Sequence, residues 1–253
     1  MSAINRIGLL DWGIGGLSVY KEIQSKIGVS CLYFSDSGYT PYGKIPKKEL
    51  IQRLNLIIDF FRKENISYII IACNAASTVL DQVQIQNKDI QLFGMLKAGE
   101  TSIRKSRKKK ILVLGGKRTI KSCFFQNAFR HSDIHLEARV AQPLSAFIER
   151  GEQNSIQFTE ALKAIQKKVR ISPTFVLLAC THYPAATKTF QNFFPQARIV
   201  DPAEILVNDL SKILGQKLQK QKSSIFVTTG SSKQSKLSAE KAFNITISEF
   251  KKV

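Results

Sequence analysis

Two cysteines stand at the ends of apolar runs in nearly matching settings, Ile69-Ile70-Ile71-Ala72-Cys73-Asn74 and Val176-Leu177-Leu178-Ala179-Cys180-Thr181. A thiol serves as base or acid once its pKa is tuned to the task. Each cysteine is followed by a polar residue, Asn74 or Thr181, able to cap a helix or bind a carboxylate. Asp11 closes an early apolar run and opens the turn Trp12-Gly13-Ile14-Gly15-Gly16, and His182 lies two positions beyond Cys180. Taken singly, each has a bland explanation. A lone strand-end cysteine is more often an inert buried thiol, Asp11 would equally cap the helix that starts at Leu17, and His182 would be an ordinary half-buried histidine. Two matching cysteines together with Asp11 and His182 turn the balance toward chemistry. The glycines of the turn permit positive φ angles and close backbone approach. Their spacing is not the G-x-G-x-x-G of a dinucleotide site, and no G-x-x-x-x-G-K-[ST] phosphate loop occurs.

The elements that must position these residues follow from periodicity. Short apolar runs alternate with amphipathic stretches, the pattern of β-α units around a parallel sheet, so the class is α/β. Strands are expected at Ile7–Leu10, Val29–Phe34, Tyr68–Ala72, Gln91–Gly94, Lys110–Leu114, His135–Val140, Phe175–Leu178, Arg198–Val200 and Ile225–Thr228. Helix-spaced apolar residues mark Leu17–Lys26, Lys47–Glu64, Ala75–Val83, Ile120–Arg130, Ile156–Val169 and Ala203–Lys217. An early strand running into a Gly-containing loop, then a later strand ending in Ala-Cys, occurs twice, at Ile7–Cys73 and at Ile111–Cys180. That echo predicts two similar lobes with mainly parallel sheets, packed across a central cleft without a flexible linker. In such sheets ligands bind beyond the carboxyl ends of the strands, where Cys73 and Cys180 both fall.

Composition narrows the partners. The net charge of +19 would suit a nucleic-acid binder, but the basic residues are spread along the chain, with one dense run at Arg104–Lys110 and no zinc-finger or RNA-recognition motif. A solvated basic surface is the simpler account, compatible with anionic small substrates; nucleic acid stays a disfavoured candidate partner. The four cysteines, at 31, 73, 123 and 180, form no C-x-x-C pair, which argues against a disulfide framework or structural zinc. Cys31 and Cys123 are expected to be small core residues. The apolar stretches are far shorter than the roughly 20 residues of a membrane-spanning helix. The first residues do not resemble a secretory signal, so a cytoplasmic protein without membrane partners is the expectation.

The stretches Asp11-Trp12-Gly13-Ile14-Gly15-Gly16-Leu17, Asp36 with Pro41-Tyr42-Gly43, Ala72-Cys73-Asn74, Pro143 through Glu149, and Cys180-Thr181-His182-Tyr183-Pro184 together resemble the glutamate racemase family, in order and spacing. The likeness runs to the late strand with Thr229-Gly230 and implies a carboxyl-terminal segment that returns to the first lobe. The lobes would then be 1–96 plus 208–253, and 97–207. The resemblance implies interconversion of L- and D-glutamate without pyridoxal phosphate or metal, for cell-wall peptide. Inversion through a planar intermediate needs a base and an acid on opposite sides. By resemblance Cys73 acts on the D-enantiomer and Cys180 on the L-enantiomer, with Asp11 assisting Cys73, and His182 and Glu149 near Cys180. Tyr42, the Gly43 backbone, Asn74 and Thr181 would be donors to the substrate carboxylates, with Pro41 beside them. A homodimer is a candidate assembly. The sequence departs from the family where Trp12 replaces a serine and Ala75 a threonine, both substrate-contacting positions, and where Lys117 replaces a threonine. Each lost hydroxyl removes about 0.5 to 1.5 kcal/mol of neutral hydrogen bonding. A different amino-acid substrate, or a catalytically weak homologue with a binding role, are therefore the alternatives.

Overall fold

The computed structural model describes residues 6–104, 109–215 and 223–253. Among them the strands form two sheets. The first contains β1 (Arg6–Asp11), β2 (Ser30–Ser35), β3 (Tyr68–Ile71), β4 (Gln91–Gly94), β9 (Ile225–Thr228) and β10 (Lys251–Lys252), in the order β10-β9-β2-β1-β3-β4. The second contains β5 (Lys110–Gly115), β6 (His135–Val140), β7 (Phe175–Ala179) and β8 (Arg198–Val200), in the order β6-β5-β7-β8. Every ladder is parallel. Parallel sheets are covered on both faces, so their central strands read as unbroken apolar runs. Ile7, Leu9 and Leu10 of β1 and Val176 and Leu177 of β7 have no solvent exposure. Each such side chain contributes about 1.5–3 kcal/mol of burial.

The two α/β lobes anticipated from the repeated pattern are thus present, and the strand expectations hold to within one residue at each end. One apolar core runs from Ile7, Leu9 and Tyr33 through Met95 to Leu112, Leu144 and Leu178, so both lobes share it. The outer face of each sheet has its own smaller core. The chain passes from the first sheet to the second through α5 (Met95–Arg104) and returns through α11 (Ala203–Leu214), and these two helices pack on each other. No helix of the described residues is long and apolar enough to cross a membrane.

Two expected helices are each divided. The stretch Ala75–Val83 becomes α3 (Asn74–Ser77) and α4 (Leu80–Gln86). Between them Thr78 Oγ1 donates to the Ala75 carbonyl at 2.7 Å and Ser77 Oγ to the Cys73 carbonyl at 3.0 Å. Such hydroxyls compete with the next turn for its acceptors. The stretch Ile120–Arg130 becomes α6 (Lys117–Lys121) and α7 (Phe124–Ala128), broken at Cys123, whose φ of 54° is left-handed. Cys123 is exposed, which corrects its reading as a core residue; Cys31 is buried as expected.

Helix α1 (Leu17–Lys26) matches its expectation, and α2 (Lys47–Lys63) and α9 (Ile156–Gln166) stop short of theirs. Lys217, the anticipated end of α11, and residues 105–108 of the basic run lie outside the described residues. Four helices escaped the periodicity: α5, α8 (Gln142–Glu149), α10 (Thr187–Phe193) and α12 (Ser232–Phe243). The buried side of α12 is built from Ser235, Ser238, Ala239, Ala242 and Phe243, so it carries little apolar signal. The edge strand β10 is a pair of exposed lysines, a charged edge that does not read as a strand.

Candidate active site

The carboxyl ends of neighbouring strands deliver the reactive side chains. In the first lobe, β1 ends on Asp11 and β3 runs through Ala72 into Cys73. In the second, β5 ends in Gly115-Gly116 and β7 runs through Ala179 into Cys180-Thr181-His182. These ends meet in a cavity of about 490 Å³ lined by both lobes. That size suits a small molecule. Asp11, Cys73, Cys180, His182 and Glu149 all line it, as do Trp12, Pro41, Tyr42, Gly43, Asn74, Ala75 and Thr181. A larger cavity, about 860 Å³ between α4, α5 and α11, contains neither thiol. Among the described residues no group of three or more His, Cys, Asp or Glu side chains is placed to hold a metal ion.

The two thiols have different neighbours. Cys73 sits beside the fully buried Asp11, and burial followed by the Asp11 charge pushes its thiol well above the ordinary range. Asp11 itself is raised by burial, although His182 and a 2.7 Å hydrogen bond from Thr181 Oγ1 favour its ionised form. Cys180 Sγ lies 3.8 Å from His182 Nδ1, and His182 Nε2 lies 2.6 Å from Glu149 Oε2. Burial works against a charged imidazole, yet the bonds to Cys180 and Glu149 outweigh it and hold His182 well above its usual value. Glu149 Oε2 also accepts the Ile14 N–H at 3.0 Å, so one carboxylate joins the glycine-rich turn of the first lobe to the histidine of the second.

Two glycines of that turn are needed for proximity. A Cβ on Gly13 would collide with the Glu149 carboxylate, and one on Gly15 with the His182 ring and the Thr181 hydroxyl. Neither has a positive φ, so the conformational freedom expected of them is not used; close approach is.

The Pro41–Lys44 loop is held from behind. Asp36, with no exposure, accepts from Tyr42 Oη at 2.7 Å, Arg53 Nε at 2.8 Å, Arg53 Nη2 at 2.6 Å and Thr229 Oγ1 at 2.9 Å. The hydroxyl protons of Tyr42 and Thr181 are given to Asp36 and Asp11, which corrects their expected role as carboxylate donors and leaves these oxygens as acceptors toward the cavity. Asn74 differs: only 2% exposed, it has both amide atoms buried without a protein partner. Leaving such a group unpaired costs about 1–3 kcal/mol. The indole of Trp12 donates Nε1–H to the Tyr39 carbonyl at 2.8 Å, which turns it along the wall onto the first-lobe core.

Lys44, Thr119, Gln142 and Arg150 also line the cavity and were not singled out from the sequence. Thr119 and Gln142 follow the ends of β5 and β6, so applying the strand-end rule to every strand would have found them.

Known proteins resemble this chain along most of its length. The sequence model of the Asp/Glu/hydantoin racemase family matches residues 15–210. A glutamate racemase of a Sulfurihydrogenibium species is 31% identical over 88% of this chain and 88% of its own length. One from a Thermoanaerobacter species is 30% identical over 82% of this chain and 80% of its own. The crystal structure of glutamate racemase from Campylobacter jejuni superposes with a TM-score of 0.86 at 26% identity, covering 95% of this chain and 98% of that one. With most of its length matched and the family's fold in place, the chain belongs to the Asp/Glu/hydantoin racemase family and is an amino-acid racemase.

Proposed function

We propose that the enzyme interconverts L- and D-glutamate without an added cofactor, using Cys73 and Cys180 as the two proton-transfer groups, and that it supplies D-glutamate for peptidoglycan in the cytoplasm. The observation that carries this reading is the pair of strand-end thiols, one from each lobe, lining a single cavity with the unpartnered Asn74 amide. The relatives named glutamate racemase supply the substrate. Lys44 and Arg150 in the lining suit an amino acid with a second carboxylate.

In the L-to-D direction Cys180, beside protonated His182, removes the Cα proton. The C–H electrons flow into the α-carboxylate to give a planar enediolate, and Cys73, held as a thiol by burial and Asp11, gives its S–H proton to the opposite face. Reversal exchanges the roles. The Asn74 amide and the backbone N–H groups of the Pro41–Lys44 loop are assigned to the carboxylates. The Tyr42 and Thr181 oxygens, already donors elsewhere, are assigned as acceptors for the α-ammonium. The same reading divides the chain into lobes 1–96 plus 208–253, and 97–207, limits that fall inside the connecting helices α5 and α11.

The test is cofactor-free racemisation of L-glutamate beside L-aspartate, L-alanine and L-serine, read by chiral chromatography. Glutamate turning over fastest supports the proposal; preference for another amino acid would trace to Trp12 and Ala75 and overturn it.

A further inference from the structure

A second cleft, about 700 Å³, opens beside the racemase cavity and shares Gly43 and Lys44 with it. Five of its ten lining residues are Lys44, Lys47, Lys117, Arg118 and Lys121, and none is acidic. Among the described residues none of these five forms an ion pair. Elsewhere on the chain the arginines Arg53, Arg62, Arg139 and Arg150 each pair with a carboxylate. Gathering five unpaired cations around one cleft is electrostatically unfavourable until an anion enters.

Arg118 sharpens the point. It is half-buried, and Nε donates to the Tyr42 carbonyl at 2.9 Å while Nη2 donates to that of Ile45. Burial without a carboxylate lowers its pKa. Two carbonyls occupy part of the guanidinium fork, and the remaining N–H groups are available to a planar or tetrahedral oxyanion. The amino end of α2 also lies at the cleft through Lys47, and its N-cap is Pro46, which has no side chain to accept a first-turn N–H. The positive end of a 17-residue helix therefore adds to the side-chain charge.

The geometry points to this cleft as a binding site for a compact polyphosphate-bearing small molecule, separate from the amino-acid cavity and joined to it by the wall at Gly43 and Lys44. The cleft is of small-ligand size. Its lining contains no aromatic side chain on which unpaired bases could stack, which argues against a nucleic-acid groove. The site does not depend on which amino acid is racemised.

The experiment is calorimetric titration with inorganic pyrophosphate at 150 mM salt, with inorganic phosphate and a single-stranded oligonucleotide as parallel arms. One pyrophosphate per chain, bound more tightly than phosphate, is expected. Lys47→Glu combined with Lys121→Glu should weaken it at least tenfold, whereas Lys163→Glu with Lys167→Glu, the same charge change at exposed positions on α9 and at its C-cap, should alter it less than twofold. The milder Lys121→Ala should cost about threefold, roughly what one exposed charge contributes. Absence of saturable binding, equal weakening by both charge-reversal pairs, or oligonucleotide binding that pyrophosphate does not displace would each overturn the proposal.

Discussion

The two cysteine sites occupy equivalent places, each just past the carboxyl end of a buried parallel strand, yet their surroundings are opposite in character. Around Cys73 the wall is apolar and acidic: Trp12 and Ala75 line it, and the buried Asp11 carries the charge that acts most on the thiol. Around Cys180 it is hydrogen-bonded and basic, with His182 at 3.8 Å and held protonated by Glu149. A duplicated scaffold therefore fixes where the thiols stand, and different side chains surround each: the buried Asp11 beside Cys73, and His182 with Glu149 beside Cys180. In the proposed mechanism the raised Cys73 thiol is the acid for the L-enantiomer.

The largest expected effect comes from erasing either side. Cys73→Ala and Cys180→Ala should each lower racemisation on the order of 10³-fold or more, the scale of a lost proton-transfer group, measured by the rate of optical inversion. Replacing the partners should cost about 10²-fold and separate the two environments. Because the equilibrium constant of a racemase is one, kcat/KM must fall equally in both directions. The difference will show instead in titration. Asp11→Asn should move the thiolate absorbance of Cys73 to lower pH, and Glu149→Gln should move the His182 imidazole resonance to lower pH. Equal displacement of both groups by one substitution would remove the distinction between the sites.

The sign of the stability effect follows. A histidine whose folded pKa is raised contributes stability that is complete below its unfolded value of about 6.5 and is lost as pH rises through the higher folded value. Wild-type melting temperature should therefore decline above neutrality more steeply than that of Glu149→Gln.

A smaller change is expected from restoring hydroxyls on the apolar side. Trp12→Ser with Ala75→Thr should lower the glutamate KM about tenfold, the value of one or two recovered hydrogen bonds. The smallest is Cys123→Ser. This thiol is exposed and outside both cavities, so turnover should stay within about twofold, as for ordinary surface substitutions.

Much of this was legible in the residues. Parallel strands buried on both faces announce themselves as apolar runs, and Asp11, Cys73, Cys180 and His182 were marked by lying where such runs end. Glu149 was not. It sits at the end of α8, a helix too short to display a period, and entered only through resemblance. The breaks at Thr78 and Cys123 depend on hydroxyls bonding the carbonyls of their own turn and on one left-handed residue, neither of which alters apolar spacing. Nor could spacing foresee that the Tyr42 and Thr181 protons are committed to buried carboxylates, since one bond closes the loop between β2 and α2 and the other crosses between the lobes.

The most direct test of the two-thiol account is the early time course of L-glutamate racemisation in deuterated water, with isotope followed separately in product and in recovered substrate. Two thiols on opposite faces predict deuterium at Cα of the D-glutamate formed and almost none in the remaining L-glutamate. Deuterium appearing equally in both, or product that keeps its original proton, would mean that a single group works both faces and would contradict the account.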